Sequence, residues 1–575
     1  MNIPAFFRRS DLTTTLWDFR REFLLVGLFS MIINVLMLAP TLYMLQVFDK
    51  VLTSQSELTL VAISLVALFL FAVTAFTEWL RSLLLVSSGV RLDRLLGTKV
   101  FTASFEAHLS QSGASPMQAF SDLMQIRQFL TGGGVFAFFD APWTPIYMAV
   151  LFVLNPWLGV MSVLAALVQA ALTWFGHRHT LEPSEASIKA NNEANTYLQG
   201  KLGSAELLES MGMTGNLRAS WFELHGRYLV SSELAQKLSH KVGAWSKFIR
   251  YAQQSLVLGA GALLVIDGQL TAGGMIAANL LMARALAPID QMVNSWRPFT
   301  SMRMAFARLE ELLLAYPMRA AVMARSAPLG QITLKDVFAS APGRKAPILS
   351  DINLEVPAGT VTVILGPSGS GKTTLARVLV GIWPGVTGEV LLDGAPLSGW
   401  SRTELGPHVG YLPQDIELFE GTIAENIGRF GTPDPQKIIE AAQRAGLHDM
   451  ILRFPKGYNT PIGEAGNTLS GGQRQRIGLA RAIYGDPVLI VLDEPNANLD
   501  DVGEDALIQT IGQLRGKGKT VFLITHRSGI LSVADRILVL DQGRIHTDNL
   551  RSSPEPLTHQ PDVATEPNPS ANPAS

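Results

Sequence analysis

The chain contains no cysteine. Disulfide staples, thiolate metal centres and a cysteine-nucleophile protease module are therefore excluded. Charge is scarce too, since only 16% of the residues are Asp, Glu, Lys or Arg. Lys and Arg number 46 against 48 Asp and Glu, a formal net charge of −2. So even a balance sets up no field that would gather nucleic acid, and no nucleic-acid partner is expected. Apolar residues take the place of charge, at 48% of the chain and a mean hydropathy of +0.24. That is apolar for a soluble protein, and 575 residues exceed what one hydrophobic core organises.

The apolar residues gather into runs in the N-terminal half. Six lie at Phe23–Val47, Leu58–Phe76, Val135–Leu154, Trp157–Phe175, Tyr251–Ile266 and Met275–Ile289. Each is near the ~20 residues that a bilayer needs. The first follows Arg8, Arg9, Arg20 and Arg21, is too long for a signal-peptide core and has no convincing cleavage site. It reads as a retained anchor. Ahead of it, residues 1–22 carry Ser10-Asp11 as an N-cap and then Leu12, Leu16, Trp17 and Phe19 among charges. The pattern predicts an amphipathic helix lying on the membrane surface.

Loop charges orient the spans. Asp49–Glu57 holds a single basic residue, Lys50, while Asn155-Pro156 and Asp267–Gly274 hold none. The long connectors, about 78–134 and 176–250, hold Arg81, Arg91, Arg94, Lys99 and Arg127 in one and nine Lys or Arg, from Arg178 to Arg250, in the other. The positive-inside bias puts both long connectors and both termini in the cytoplasm. These connectors have helical periodicity and few breakers, so they read as helices extending the spans. Their tips are expected near Gln111–Pro116 and Met211–Gly215. Glu78 and Arg284, both close to span ends, read better as membrane-boundary residues than as charges lining a cavity.

The C-terminal half changes character. Past a linker, alternation resumes at Ile332-Thr333-Leu334, and strands and helices interleave to about Ile545, the pattern of an α/β domain. The β-branched run Val361–Leu365 leads into Gly366-Pro367-Ser368-Gly369-Ser370-Gly371-Lys372-Thr373-Thr374 and then a helical pattern. A glycine-rich turn between strand and helix bares backbone N–H groups and aims a helix N-terminus at phosphate. Lys372 is placed for the β- and γ-phosphates, and the Thr373 hydroxyl for Mg²⁺. Gln414, with donor and acceptor on one amide, suits ligating Mg²⁺ or orienting the attacking water. Ser470-Gly471-Gly472-Gln473 opens another helix and offers a second phosphate cradle. Val488–Leu492 ends in Asp493, suited to Mg²⁺, and Glu494, suited to polarising water. Thr520–Thr525 ends at His526, within reach of a γ-phosphate.

Together these residues resemble the motif set of the ATP-binding cassette (ABC) proteins. Gly366–Thr374 resembles Walker A, Gln414 the Q-loop, Leu469–Gln473 the signature motif and Leu489–Glu494 Walker B. Asn498-Leu499-Asp500 resembles the D-loop and His526 the H-loop, while Val337–Ala341 puts Ala where the family's adenine-stacking Tyr is usual. Gly463–Gly466 resembles the exporter loop that touches cytoplasmic helices. Phe138–Tyr147, Asn155–Gly159, Glu209–Met213 and Asp493–Asp500 look like the type I secretion ATPases of the protease, lipase and haemophore branch.

The resemblance implies an α-helical six-span transmembrane domain of ABC exporter type fused to an α/β P-loop cassette. The expected division is 1–22, 23–310, a linker 311–330, the cassette 331–550 and a Pro- and Ser-rich disordered tail 551–575. No leader-cleaving peptidase domain of the bacteriocin-exporter kind is expected. The implied cofactors are ATP and Mg²⁺, with Glu494, His526 and Gln414 catalytic. The implied partners are a second copy of the chain, a membrane-fusion adaptor, an outer-membrane channel, membrane lipid and a secreted unfolded polypeptide with a C-terminal signal. In the family two cassettes meet head to tail, so Ser470 and Gly472 of one copy complete the Lys372 site of the other. An exporter of lipids or small amphipathic molecules, and a nucleotide-gated channel or sensor, remain as alternatives on the same cassette. A soluble cassette protein is excluded by the six spans.

Overall fold

The computed structural model describes residues 9–110, 116–202, 205–317, 326–341, 346–463, 466, 469–527 and 529–550. The tail from 551, the first tip at 111–115 and the Glu464-Ala465 pair of the exporter loop lie outside the described residues. The chain divides into two compact units, Met1–His108 with Gly113–Met318, and Leu109–Ser112 with Arg319–Ser575.

Every described element of the first unit is helical. Six helical stretches are long and apolar enough to cross a membrane: Arg20–Ser54, Glu57–Leu109, Gly133–Leu154, Pro156–Leu202, Thr214–Ile266 and Ala272–Ala315. Each contains one of the expected spans. Leu58, Leu65, Leu68 and Phe69 stand exposed along the second, a surface that lipid, not water, accommodates. At 1.5 Å per residue the 53-residue helix Glu57–Leu109 is about 80 Å long, far more than the ~30 Å of hydrocarbon. The long connectors are thus helical continuations of the spans. One turns at Met211–Met213, where Gly212 takes φ +64°, as expected from the sequence.

The first span is not one rod. Its α-helix stops at Leu36, restarts at Ala39 with Pro40 in the first turn, and passes through a single π turn at Val47–Val51. Proline there has no N–H to continue the ladder. The third span breaks at Ala141–Trp143, a 3₁₀ turn holding Pro142.

The leader differs from its expected placement. Ser10 caps the helix Asp11–Asp18 in a reciprocal box with Thr13, as the sequence suggests. Its apolar face does not lie free for a membrane surface, however. Leu12 and Phe19 are buried in a cluster with Leu92, Leu96, Val100 and Leu309. Asp11 pairs with Lys99 at 3.0 Å, and Ser10 donates to Glu310 at 3.2 Å. The extended span helices supply an apolar groove that the pattern alone could not reveal.

Two polar clusters tie the spans in threes. In one, Arg81 donates to Asp140 and to Ser30, both at 2.9 Å, and Asn34 donates to Asp140 at 3.1 Å. Tyr147 donates to the Asn34 carbonyl oxygen at 2.9 Å, so spans one, two and three meet there. In the other, Asp290 accepts from Gln169 at 2.7 Å, Ser246 at 3.0 Å and Arg250 at 2.9 Å, joining spans four, five and six.

The second unit holds strands β1 (Ile332–Ser340), β2 (Pro347–Val356), β3 (Val361–Leu365), β4 (Val386–Leu392), β5 (Ala395–Pro396) and β6 (Val409–Leu412). They are followed by β7 (Gly421–Thr422), β8 (Pro461–Ile462), β9 (Leu489–Asp493), β10 (Thr520–Ile524), β11 (Arg536–Asp541) and β12 (Arg544–Leu550). The main sheet runs β12-β11-β3-β10-β9-β6, parallel except for the edge strand β12. All of β9 and β10 is buried, which is what continuous β-branched and leucine runs require. A second, antiparallel sheet runs β2-β1-β4-β5. The interleaved pattern in the sequence predicted the parallel sheet and not this one. Because β3, β6, β9 and β10 are parallel, the loops after them share one sheet edge, where α/β folds bind ligands. Those loops carry Gly366, Gln414, Glu494 and His526.

Candidate nucleotide site

The loop after β3 is shaped by backbone that only glycine tolerates. Gly366 takes φ +149°, and a Cβ there would fall 2.1 Å from the Leu540 carbonyl oxygen. Gly371 takes φ +100° and caps the helix Lys372–Leu379; its Cβ would meet Leu349 at 2.8 Å. Lys372 is nearly buried, and its Nζ donates to the carbonyl oxygens of Gly366 at 2.9 Å and Pro367 at 2.8 Å. The ammonium is thereby held over the loop that the sequence proposes for phosphate. Ser370 Oγ is buried without a hydrogen bond.

Asp493 ends β9 fully buried, and neither carboxylate oxygen has a well-formed hydrogen bond. Burial pushes its pKa up from the ordinary carboxylate value, and the charge of Glu494 adds to this. The Thr373 hydroxyl, then Arg377 and Lys372, pull the other way. Two buried oxygens without partners, beside a hydroxyl, form a hard-oxygen donor set that fits Mg²⁺.

Glu494 follows at φ +49°, a left-handed conformation unusual for a side chain that is not Asn or Gly. Two contacts fix it: its N–H donates to the Ile524 carbonyl at 3.0 Å, and its own carbonyl accepts from Gln475 at 3.2 Å. Gln414 Nε2 donates to Glu494 Oε2 at 3.1 Å, and His526 Nε2 lies 3.5 Å from Oε1. Two residues from two other loops therefore converge on one partly exposed carboxylate. The arrangement can hold and polarise a water molecule.

The second cradle is built at a helix start. Ser470 caps Gly471–Ile483, accepting from Gln473 N–H at 3.3 Å while Gln473 Oε1 accepts from Ser470 N–H at 2.9 Å. Gly472 is needed for close approach, since a Cβ would stand 2.8 Å from the Asn498 carbonyl oxygen. Among the described residues no hydrogen bond or ion pair joins Ser470–Gln473 to Gly366–Thr374 within the chain.

Some supporting residues were not foreseen. Gln475 acts on the Glu494 backbone, and Thr525 donates to Asn496 at 3.1 Å. Arg476 pairs with Asp500 at 2.7 Å, and Asp500 caps Asp501–Gly516, so the signature helix and the next one are tied. Arg429, at φ +57°, donates to the carbonyls of Gly406, Val409, Arg481 and Ala482. Asn498-Leu499-Asp500 was visible as a motif; nothing local marked Arg429. Phe338 is exposed on β1 opposite Thr387, and Trp383 donates to the Ser340 carbonyl at 3.1 Å.

Residues 349–497 match the ABC transporter family, and 23–288 match the ABC transporter transmembrane region. The type I secretion system ATP-binding protein PrsD of Rhizobium meliloti (strain 1021) is 41% identical over 540 residues, covering 94% of this chain and 93% of PrsD. The alpha-hemolysin translocation ATP-binding protein HlyB of Proteus vulgaris is 29% identical, covering 94% of this chain and 78% of HlyB. A bacterial Atm1-family ABC exporter solved with ATP bound superposes with a TM-score of 0.79, covering 92% of this chain and 95% of that one. At 24% identity that likeness is one of fold. Matched through both halves, this chain belongs to the ABC transporters, in the branch of the type I secretion system ATP-binding proteins.

Proposed function

We propose that the chain is the ATP-driven exporter of a type I secretion system, moving an unfolded polypeptide out of the cytoplasm across the inner membrane. The convergence of Gln414 and His526 on Glu494, in a chain that also carries six spans, is the observation that carries the reading. Relatives named for secretion and for toxin translocation support a polypeptide cargo; a cargo of the protease, lipase or haemophore type with a C-terminal signal is what the motif resemblance implies.

In this reading Gly366–Thr374 binds the phosphates of ATP, with Lys372 neutralising their charge. Thr373, Asp493 and Gln414 hold Mg²⁺, which supplies charge neutralisation on the phosphates. Glu494 accepts a proton from the attacking water, and His526 and Gln414 orient the carboxylate and sense the γ-phosphate. Ser470–Gln473, which among the described residues makes no hydrogen bond or ion pair to Gly366–Thr374, completes the Lys372 site of a second copy, which makes the working unit a homodimer. The loop charges put the nucleotide unit and both termini in the cytoplasm. A periplasmic adaptor and an outer-membrane channel complete the route. Each nucleotide state must favour one membrane conformation for anything to move.

The test is a protein inventory of the culture medium from cells carrying the wild type or Glu494→Gln. Loss of one or a few polypeptides from the medium, with their accumulation inside, is the expected result. An unchanged medium would overturn protein secretion and leave a lipid or small-molecule cargo.

A further inference from the structure

Glu78 and Arg284 face a common space. A cavity of about 390 Å³ lies among the first, second, third and sixth spans, lined by both residues together with Asn34, Arg81, Asp140 and Gln291. Arg284 sits about 18 Å along its helix from the Ala272 end and Glu78 about 32 Å from the Glu57 end, against ~30 Å of hydrocarbon. The two residues that the sequence reads as membrane-boundary groups thus line one cavity.

Ionisable groups between membrane spans are costly unless paired, and they mark paths or sites. Among the described residues neither Glu78 nor Arg284 makes a side-chain hydrogen bond or ion pair. Arg81 adds an independent sign. It is only 7% exposed, its Nη1 is satisfied by Asp140 and Ser30, yet its Nε is buried with no acceptor. The cluster around Asp290 is the contrast: that carboxylate accepts three hydrogen bonds, one from the fourth span and two from the fifth. The Asp290 carboxylate is held by its neighbours, whereas among the described residues Glu78 and Arg284 stand without a side-chain hydrogen bond or ion pair beside a void.

The chemistry of the lining narrows the ligand. Arg81 and Arg284 are balanced by Glu78 and Asp140, so the cavity carries no net charge to favour an ion of either sign. Donors (Arg284, Gln291) and acceptors (Glu78, Asp140) line the same space. An acyl chain there would strip these groups of partners and gain nothing in return. A peptide main chain offers one N–H and one C=O per residue, neutral and alternating. The volume falls in the usual ~300–1,000 Å³ range of ligand sites and holds a short extended segment. We infer that this cavity is a cargo subsite that hydrogen-bonds the main chain of the polypeptide in transit, with Glu78 and Arg284 as its contact residues. Arg81 and Asp140 position them. The inference rests on the polypeptide-export reading above.

The test places a photoreactive benzoylphenylalanine at Gln291 in the full-length chain, in cells with wild-type or Glu494→Gln background. Leu68, exposed on the second span, serves as the outward-facing control. The expected adduct at position 291 is the same polypeptide that Glu494→Gln removes from the medium, and position 68 does not capture it. Lipid adducts at 291, or none, while that polypeptide is still held back, overturn the subsite and leave the export reading intact. A medium unchanged by Glu494→Gln overturns both. Glu78→Gln and Arg284→Gln, compared at equal membrane abundance, are each expected to lower the secreted polypeptide several-fold; undiminished secretion from both counts against the subsite.

Discussion

Breaking the Arg81–Asp140 pair should destabilise the membrane unit far more than removing the pair altogether. The two side chains are 8% and 16% exposed and 2.9 Å apart. Arg81 also holds Ser30, and Asp140 also accepts from Asn34, so one substitution disturbs three spans. Leaving one buried charge without its partner costs ~3–5 kcal/mol, whereas replacing both by apolar residues of similar size is often nearly neutral. With ~2–4 °C of melting temperature per kcal/mol in domains of 150–250 residues, each single change should lower the midpoint by roughly 10 °C. The assay is thermal unfolding of detergent-purified Arg81→Met, Asp140→Leu and the double variant, followed by tryptophan fluorescence. The double variant should recover most of the loss of either single. A double loss equal to the sum of the singles, or singles within ~2 °C of wild type, would refute the pairing as the source of stability.

Two further outcomes are expected in the nucleotide unit. Lys372→Ala should weaken ATP binding about 10- to 100-fold, the worth of ~1.5–3 kcal/mol for hydrogen bonds from a charged group; unchanged binding in a fluorescent-nucleotide titration would count against the loop's role. Burial raises the pKa of Asp493, so the folded, nucleotide-free chain keeps this proton to higher pH than the unfolded chain does. The associated stability is complete below the ordinary carboxylate pKa of ~3.9 and is lost as pH rises through the raised value. Melting of wild type relative to Asp493→Asn should therefore improve as pH falls from 7 towards the ordinary carboxylate value of ~3.9, and identical pH profiles for the two would contradict it.

The cassette was readable because its chemistry is written in short local patterns. A glycine-rich turn after a β-branched run, or an acidic pair ending one, carries both its conformation and its purpose within ten residues. Parallel pairing then sets those loops along one edge without further information. The membrane spans were readable from hydropathy, and their helical extensions from unbroken periodicity. What escaped the sequence depends on partners distant in the chain. Asp140 lies in a short Asp-Ala-Pro-Trp break, and only its 2.9 Å contact with Arg81 explains it. Glu78 and Arg284 looked like boundary residues because distance along the chain says nothing about which faces of two helices turn towards each other. Leu12 and Phe19 suited a membrane surface equally well until the groove beside Leu92 and Leu96 was in view. The φ of +49° at Glu494 was invisible for the same reason, since it depends on the Ile524 carbonyl and Gln475.

The measurement that bears most directly on ATP-driven export is steady-state ATP turnover by the purified full-length chain and its Glu494→Gln variant, with ATP binding measured on the same samples. If Glu494 is the group that accepts the proton from water, turnover falls by at least ~10²-fold while ATP binding is retained. Near-normal hydrolysis by Glu494→Gln would contradict that role and the coupling built on it.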